Sequence, residues 1–597
     1  MRRKIAAFLL GAFCVAVIIV LLSPSGVLDA RGRAPNSLQP DPTAVFFTMV
    51  LQRNQPVSRG NLMVLPRPDG RVSQNSHGKG GGGGGGTGGG GGGTGSCCGA
   101  LTLSPGSTPY ALVGPVEQPT TTQPEAEEEI AADPTNPDNL VAAISDFSNA
   151  SGYNNTKWAL STDSGSTWLE SFVPIDSSTG LLTTSDNQEW QANSDPVVAF
   201  DRSGNVFLSD LYLKLDAYGR ITGEGLYVSS GKFSSIGASN FAGTYPVYSN
   251  PNDGKIFTIE DKPWIAVDNS GGSTDGYVYA SWSHFTGCQN QYSPLYGGYV
   301  LTCSSDSIYL SYSTNHGVSW SAPVQISPST QNGAVQGSQP AVGPDGKVYV
   351  TYEFFGSNNQ RQQYLAVGTW SSGSLGFSSS GPFVVSPVFS ELTFAGCSTC
   401  TASYRVNSFP NIAVGPPTNA NASGNVYLVY GAQTSSTSTA QVNFVACTSS
   451  CTGSSSFYGP AIVNDVAAGD HFFPAISVDS GGTINTSWFD SRYNPSNPDL
   501  LDVFAAFLTY DSTTNSLTVS SNTRVTPTTI NVGFTASGFN FGDTSFIGDY
   551  IGIAATAATG TASATAHPVW TDVSGAFGIP LYGFLQTSSL TLPAGTP

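Results

Sequence analysis

The sequence predicts an all-β fold, a β-propeller of four-stranded antiparallel blades, and three observations lead to this class. A short apolar–turn–apolar phrase recurs seven times, at intervals of 64 to 77 residues. Such an internal period indicates a repeat architecture. Charged residues make up only 10% of the chain, a composition that excludes coiled coils and most helical folds. No segment after residue 30 has a convincing helical period.

Each copy of the phrase has a small apolar run, a turn rich in Asp and Gly, and a second run that ends in Trp, Tyr or an acid. The seven copies are Ile130–Ile144, Val198–Asp210, Ile265–Trp282, Ala341–Tyr352, Ile412–Tyr430, Ile476–Trp488 and Ile553–Trp570. A third strand follows each copy, and a more variable fourth strand fits before the next one. Radial repetition of such units protects the sheet edges, which favours a propeller.

The number of blades depends on the last copy, which is the weakest of the seven. Seven blades are predicted, and six stay open. The seventh unit supplies three strands before the chain ends at Pro597, while the apolar segment Tyr110–Gly114 precedes the first unit. This early segment is therefore a candidate for the outer strand that closes the last blade.

The chain divides into three parts. Residues 1–30 carry Arg2, Arg3 and Lys4 before the apolar run Ile5–Leu22, a pattern typical of a signal peptide or, if uncleaved, of a membrane anchor. Residues 31–107 are predicted to be a disordered Gly-rich stalk, because a nearly pure glycine tract behaves as a flexible linker. Residues 108–597 are predicted to be the propeller. A secreted or cell-surface location follows.

The net charge of the chain limits the classes of partner that it can bind. The net charge of −18 and the pI near 4.5 exclude nucleic acid, which needs a basic face. A monomer is expected, with membrane contact only through an uncleaved N-terminal segment.

The cysteines are predicted to form local disulfides. Cys288 and Cys303 are expected to pair in an exported protein. Two further cysteine pairs imitate zinc spacing but fit local disulfides better, because the repeat register places them on opposite faces: Cys397 with Cys400, and Cys447 with Cys451.

The most specific motif is Ser161–Trp168, with a second copy at Ser313–Trp320. Asp163 or its counterpart Asn315 is expected to cap a tight turn, with Gly supplying the unusual dihedral angles and Trp anchoring the turn. This motif resembles the Asp-box of the sialidase-like (BNR-repeat) propellers, and the resemblance to bacterial secreted members extends over roughly residues 108 to 590. It implies the fold more strongly than an activity. The family's Arg-Ile-Pro motif is absent, and Tyr404-Arg405-Val406 matches it only in part.

Blade topology predicts a functional face, because loops that enter first strands and leave second strands surround the channel mouth together. Paired carboxylates beside a tyrosine could hydrolyse a glycoside. The predicted catalytic residues are Asp261, Asp490, Asp549 and Tyr550. The predicted ligand-binding residues are Arg405, Arg492, His471 and Trp190. By register alone, Arg492 is expected to pair with Asp549 or a bound acid, close to Tyr550.

The predicted function is therefore a secreted or cell-surface, glycan-directed propeller with exo-glycosidase-type hydrolysis. The alternative is a non-catalytic propeller that binds a glycan or a protein, in which the acids only cap turns and strand ends. An acid pair within reach across the channel would favour the enzyme, and scattered acids with an aromatic platform would favour the binder. No cofactor is predicted, and calcium stays open. The chain has no G-x-S-x-G elbow and no phosphate-binding loop.

Overall fold

The computed structural model describes the greater part of the chain after residue 96. The described residues are 97–106, 110, 113–117, 125–146, 155–176, 179–216, 220–251, 257–293, 298–357, 360–378, 381–391, 394–395, 403–435, 438–448, 451–497, 499–532, 544–545, 547–556, 565–572 and 586–593. The predicted signal segment and nearly all of the predicted stalk lie outside these ranges. Within them, no helix is long and apolar enough to cross a membrane.

The protein is an all-β propeller, and its antiparallel sheets follow one another along the chain. Sheet 1 comprises Glu125–Ala132, Leu140–Asp146, Asn155–Ser161 and Leu169–Phe172. Sheet 2 comprises Ala192–Phe200, Asn205–Leu215, Ile221–Lys232 and Gly243–Asn250. Sheet 3 comprises Phe257–Val267, Val278–Ser293, Ser305–Ser313 and Val324–Gln325, with Gly298–Thr302 added to its second strand.

Sheets 4 and 5 repeat the same order. Sheet 4 comprises Val335–Val342, Val348–Phe355, Gln360–Ser371 and Ser374–Phe377, and its third strand also pairs with Phe383–Val384 and Phe389–Ser390. Sheet 5 comprises Asn411–Val414, Val426–Ala432, Gln441–Cys447 and Phe457–Ile462.

The last two sheets recruit strands from the beginning of the described chain. Sheet 6 comprises His471–Val478, Ile484–Asp490, Leu500–Asp511 and Ser516–Val519, with Thr523–Arg524 and Ile530–Asn531 added to its third strand. Its outer edge pairs in parallel with Thr102–Pro105. Sheet 7 comprises Gly552–Thr556, Thr565–Asp572, Gln586–Pro593 and then Val113–Glu117.

Two of these pairings bear on the sequence predictions. The N-terminal strand predicted at Tyr110–Gly114 does pair with the last sheet, but it lies three residues later, at Val113–Glu117. The predicted boundary of the stalk needs a correction, because residues 97–106 lie against the folded body. Leu101 packs against the core between sheets 5 and 6, and the backbone of Thr102–Pro105 completes the edge of sheet 6.

Smaller elements connect the sheets. They are the helix Phe233–Ser239, the 3-10 turns Ser329–Gln331 and Ser454–Ser456, the pair Leu182–Thr183 with Glu189–Trp190, and the three-stranded group Phe394–Ala395, Ser403–Arg405 and Thr544–Ser545. The helix contradicts the expectation of no helical segment. Its buried residues Phe233 and Ile236 lie three positions apart and join the core between sheets 1 and 2, so packing stabilises a segment too short to show a period.

The core lies between successive sheets. Apolar side chains of one sheet pack against those of the next, as Trp158 of sheet 1 does with Val198 and Phe200 of sheet 2. The first strands lie side by side at the centre, and the first strand of sheet 1 contacts those of both sheets 2 and 7. Burial between neighbours therefore holds the sheets around a common axis.

The two Trp-containing turns have matching hydrogen bonds. The backbone N–H of Thr167 donates to Asp163 at 2.8 Å, and that of Ser319 donates to Asn315 at 3.0 Å. Each Trp indole donates to the carbonyl of the turn glycine, at 3.0 Å for Trp168 and 2.9 Å in the second turn. Gly165, the glycine of the first turn, has a left-handed φ of 86°. The acid or amide thus caps the turn and Trp anchors it.

Disulfides join Cys288 to Cys303, Cys447 to Cys451, and the adjacent Cys97 to Cys98. The first two pairings are those predicted. The predicted pair at residues 397 and 400 lies outside the described residues.

Candidate functional site

A repeated backbone feature brings side chains to the centre of the propeller. In five sheets the first strand has a bulge, and one residue of each bulge takes a left-handed φ: Glu127 at 61°, Asp195 at 60°, Lys262 at 50°, Gly337 at 67° and Phe473 at 49°. Such bulges re-aim side chains. Proline follows three of these residues, where the strand needs no ladder N–H.

The side chain of Lys262 is the cation at the centre of this region. It is 3% exposed, and its Nζ lies 4.1 Å from the ring centroid of Tyr550, 5.4 Å from that of Phe409 and 5.9 Å from that of Trp264. These rings come from sheet 3 and from the segments that enter sheets 5 and 7. A desolvated ammonium is attracted by aromatic faces at such distances. We call Lys262, these three rings and the surrounding carboxylates the channel cluster.

The approach of Phe409 to this cluster depends on a glycine in sheet 4. A Cβ atom at Gly337 would collide with the ring of Phe409. The left-handed φ of Gly337 is also one that other residues rarely adopt. The absence of a side chain at Gly337 of sheet 4 therefore leaves room for the ring of Phe409.

Tyr550 is a buried member of the channel cluster. Its hydroxyl donates to the carbonyl of Pro196 in sheet 2 at 2.9 Å, and its ring meets Trp264 edge-on at 5.2 Å. Burial raises the pKa of Tyr550 well above its ordinary value, and the carboxylates of Glu127, Asp195, Glu129 and Asp549 raise it further. The phenol therefore stays protonated at neutral pH, so any catalytic role of Tyr550 would be that of a neutral phenol.

Glu129 lies two residues after the bulge of sheet 1 and was missed by the sequence analysis. It is half-buried, whereas Glu127, Asp195 and Asp549 are buried. Its Oε2 is shielded from solvent and has no hydrogen-bond partner among the described residues. Burial raises the pKa of Glu129 to about 8, although the N–H of Ile130 and the charge of Lys262 oppose the rise. The only sequence signal was the unusual acidic run Glu127–Glu129 at a strand start.

Of the predicted catalytic acids, Asp549 lies in this region. It is buried and directly precedes Tyr550, its charge acts on the Tyr550 phenol, and its carbonyl accepts a hydrogen bond of 2.9 Å from Asn407. Asp261 is also buried, but its charge acts on Glu224 of sheet 2. The fold thus brings two of the four predicted catalytic residues, Asp549 and Tyr550, to one cluster.

A second group of acids lies beside it, between sheets 2 and 3. Oε1 of Glu260 lies 2.7 Å from Nδ1 of His284, and the Trp282 indole donates to the same carboxylate. The backbone N–H of Glu260 donates to Glu224 at 2.9 Å. Burial raises the pKa of Glu224, and the charge of Glu260 adds to the rise. Glu224 therefore links neighbouring sheets by accepting a first-strand N–H.

Other buried acids link sheets in a similar way. Asp306 of sheet 3 accepts the N–H of Val335 in sheet 4 at 3.0 Å, and Glu128 of sheet 1 accepts the hydroxyl of Thr571 in sheet 7 at 2.9 Å. These acids therefore have a structural role, because they accept hydrogen bonds that connect neighbouring sheets. The sequence analysis kept a structural role of the acids as its alternative to catalysis.

The predicted residues of sheet 6 form a separate cluster, and they correct the sequence analysis. Asp490 lies 2.8 Å from Nδ1 of His471, accepts the Trp488 indole at 2.9 Å and pairs with Arg492 at 2.7 Å. Arg492 also binds Asp465 at 2.6 Å. The predicted pairing of Arg492 with Asp549 is therefore wrong, because Arg492 turns back onto an acid of its own sheet. We call this group the sheet 6 cluster.

In the sheet 6 cluster, neighbouring basic groups compensate the negative charge of the buried acid Asp490. Burial opposes the ionisation of Asp490, yet hydrogen bonds from His471 and Arg492 hold its pKa below the usual value. Asp490 is fully buried. It therefore acts as a stable anion that orients its neighbours, and its predicted catalytic role is not supported by this geometry.

The two remaining ligand-binding candidates lie elsewhere. Trp190 is fully buried, and its ring packs against Tyr212 and Tyr227 in the core beside sheet 2. The prediction that Trp190 binds a ligand is therefore wrong. Arg405 ends the strand Ser403–Arg405, and its side chain lies outside the described residues.

No group of three or more His, Cys, Asp or Glu side chains suited to a metal ion occurs in the part of the chain that the structure describes.

Known proteins are similar to this chain in structure but do not match it in sequence. No family model matches the chain, and no curated protein matches it. The structure is similar to that of a protein of unknown function from Dyadobacter fermentans DSM 18053, at 11% identity and a TM-score of 0.37, over 68% of this chain and 95% of that one.

Two enzymes of known activity give comparable matches. The intramolecular trans-sialidase of Ruminococcus gnavus matches at 12% identity and a TM-score of 0.35, over 82% of this chain and 99% of that one. The GH93 α-L-arabinofuranosidase of Fusarium graminearum matches at 12% identity and a TM-score of 0.35, over 71% and 98%. At these TM-scores, none of the matches assigns an activity or a site to this chain.

Proposed function

We propose that this chain is an exported, glycan-directed β-propeller that hydrolyses glycosidic bonds at its channel cluster. The observation that carries the proposal is Glu129, a half-buried carboxyl group beside the buried acids of that cluster. With a pKa of about 8, Glu129 keeps its proton at neutral pH. A protonated carboxyl group beside a second carboxyl group is the arrangement that glycoside hydrolysis needs.

In the proposed reaction, Glu129 donates its proton to the glycosidic oxygen as the bond from that oxygen to the anomeric carbon breaks. A second carboxylate, Asp549, takes a proton from water, whose oxygen forms the new bond to the anomeric carbon. Tyr550 stays a phenol and positions the cluster through Pro196. This assignment keeps Asp549 as a reacting group, gives Tyr550 a positioning role and replaces Asp490 with Glu129.

The proposal includes the organisation of the whole chain. Sheets 1 to 7 would be seven blades of one ring, closed where Val113–Glu117 pairs with sheet 7; the contacts of the sheet 1 first strand with those of sheets 2 and 7 support this count. Residues 1–30 would direct export or anchor the chain, and the glycine-rich segment before Cys97 would be the stalk.

A second candidate function is non-catalytic glycan binding. The observation that favours it is the dispersal of the predicted site, because Asp490 and Arg492 neutralise each other on sheet 6, away from Tyr550. Scattered acids with structural hydrogen bonds fit a binding protein.

Turnover on a panel of chromogenic glycosides tests the two candidates, with Glu129→Gln as the main variant. The matched control is Glu170→Gln, which changes a partly exposed glutamate on the outer strand of sheet 1. Hydrolysis should fall about 10²–10⁴-fold in Glu129→Gln and stay unchanged in the control. If Glu129→Gln retains full turnover, the assignment of Glu129 is wrong. If the wild type cleaves no glycoside but binds glycans, the second candidate replaces the first.

A further inference from the structure

An exposed aromatic side chain lies beside the sheet 6 cluster. Tyr493 follows Arg492 in the loop that leaves the second strand of sheet 6, and it is 58% exposed. Loops at this position surround the mouth of a propeller. Most large aromatic side chains bury their rings, so an exposed ring at a mouth is a feature of binding surfaces.

Tyr493 belongs to a stack of side chains in which two neighbouring rings lie between two cations. The Cζ atom of Arg492 lies 3.9 Å from the ring centroid of Phe504. The Phe504 ring lies 5.9 Å from that of Tyr493, and the Cζ atom of Arg524 lies 5.2 Å from the Tyr493 ring. Each guanidinium lies close enough to attract a ring face.

Ion pairs hold both cations of the stack in place. Arg524 binds Asp502 through Nε at 2.9 Å and through Nη2 at 2.5 Å. Arg492 binds Asp490 and Asp465, as described above. Two nitrogens of each guanidinium group reach one oxygen of the carboxylate, and hydrogen bonds between charged groups are short and strong. Little side-chain freedom then remains to be lost when a ligand packs on Tyr493, which favours affinity.

Polar groups with free capacity for hydrogen bonds lie at both ends of this stack. Asp465 is 46% exposed at its side chain and also contacts Asn522, whose N–H donates to it at 3.2 Å. Nη1 of Arg524 has no hydrogen-bond partner in the part of the chain that the structure describes. The C–H face of a sugar ring could pack on the Tyr493 ring. The hydroxyl groups at the edge of the sugar could then donate to a carboxylate or accept from a guanidinium group.

We propose that Tyr493, Arg524 and Asp465 form a sugar-binding platform that stacks one uncharged sugar ring on Tyr493. The absence of charge on that sugar follows from the pairing of the two arginines, because Arg492 faces Asp490 and Asp465 while Arg524 faces Asp502. No arginine of the stack is left to balance a carboxylate on the ligand. The platform rests on the proposed glycan-directed function and adds a sugar class and a position to it.

Titration calorimetry with defined oligosaccharides tests the platform. The probes are neutral xylo-, arabino-, malto- and cello-oligosaccharides and the acidic oligogalacturonate and sialyllactose. The variant Tyr493→Ala should weaken binding of a neutral probe about tenfold or more, since an exposed Tyr at the centre of a contact dominates its energy. Tyr493→Phe keeps the ring and should bind as the wild type does. Tyr292→Ala removes an equally exposed tyrosine, 59%, from sheet 3 and should also leave binding unchanged.

Each outcome separates the platform from the proposed function. Equal binding by the wild type and Tyr493→Ala would overturn the platform and leave the glycan-directed function standing. Binding of the acidic probes alone would overturn the assignment of an uncharged sugar. A wild type that cleaves aryl glycosides but binds no oligosaccharide would overturn the platform only. A wild type that neither binds nor cleaves any probe would overturn both proposals. A loss of binding in Tyr493→Ala that Tyr493→Phe shares would refute ring stacking.

Discussion

The channel cluster and the sheet 6 cluster both bury carboxylates, but they balance the charge differently. In sheet 6, Asp490 has two basic partners, His471 and Arg492, at hydrogen-bond distance, and its pKa is lowered. In the channel cluster, Lys262 is the cation among several acids, and the pKa of Glu129 is raised. A carboxyl group is therefore held as an anion in one place and keeps its proton at neutral pH in the other.

The difference arises from where the partners come from. The sheet 6 cluster forms mainly within one sheet, where Asp490 and His471 are direct cross-strand partners. The channel cluster forms from several sheets that meet at the axis, and at Glu129 the effect of burial outweighs the opposing charge of Lys262. Unbalanced burial shifts pKa values and often marks a functional site. Four experiments test this contrast: three substitutions in order of decreasing expected loss of stability, and then the pH dependence of stability.

The largest effect is expected for Lys262→Met. The substitution keeps an apolar side chain among the rings but removes a buried positive charge from among the surrounding acids. Removal of one partner from a buried charge pair typically costs about 3–5 kcal/mol. The free energy of unfolding, measured by urea denaturation, should fall by that order. Lys232→Met, at an exposed lysine, is the control. Equal stability of the two variants would contradict the central role of Lys262.

A smaller effect is expected for Arg492→Met. Asp490 keeps its contacts with His471 and Trp488 in this variant, so only part of its compensation is lost. A buried group deprived of a partner costs about 1–3 kcal/mol. Urea denaturation beside the control Arg220→Met, at a more exposed arginine, measures the loss. A loss larger than that of Lys262→Met would reverse the comparison.

Tyr550→Phe should have a modest effect on stability and little effect on turnover. The variant loses one hydrogen bond, to the Pro196 carbonyl, typically worth about 0.5–1.5 kcal/mol. Thermal unfolding and glycoside kinetics together measure both effects. A 10²–10⁴-fold loss of turnover, the scale of a lost chemical step, would restore Tyr550 as a reacting group.

The fourth experiment follows the pH dependence of stability in Glu129→Gln. Because the pKa of Glu129 is raised in the folded state, the folded protein holds a proton that the unfolded chain releases. Folding stability from this group is therefore present at low pH and is lost as pH rises from the ordinary glutamate value, 4.5, to about 8. Between pH 5 and pH 9 the melting temperature of the wild type should fall more than that of the variant. Identical slopes would show that Glu129 is not shifted.

The sequence by itself determined the repeated strands, the capped turns and two of the local disulfides. Each depends on residues close together in the chain: alternation sets a strand, Asp163 and Gly165 set a turn, and the short spacing of Cys288 and Cys303 allows a bridge. Such short-range chemistry can be predicted from a single repeat.

Only the tertiary structure decided which charges meet. Register placed Arg492 and Tyr550 in neighbouring loops, but Arg492 found Asp490 two residues away in the chain. The left-handed bulge at Lys262 sent its side chain to rings from distant segments. Burial cannot be deduced from residue type either, since Trp190 lies in a core and Tyr493 at the surface. Long-range contacts set solvation, and solvation decides whether an acid fastens two sheets or exchanges a proton.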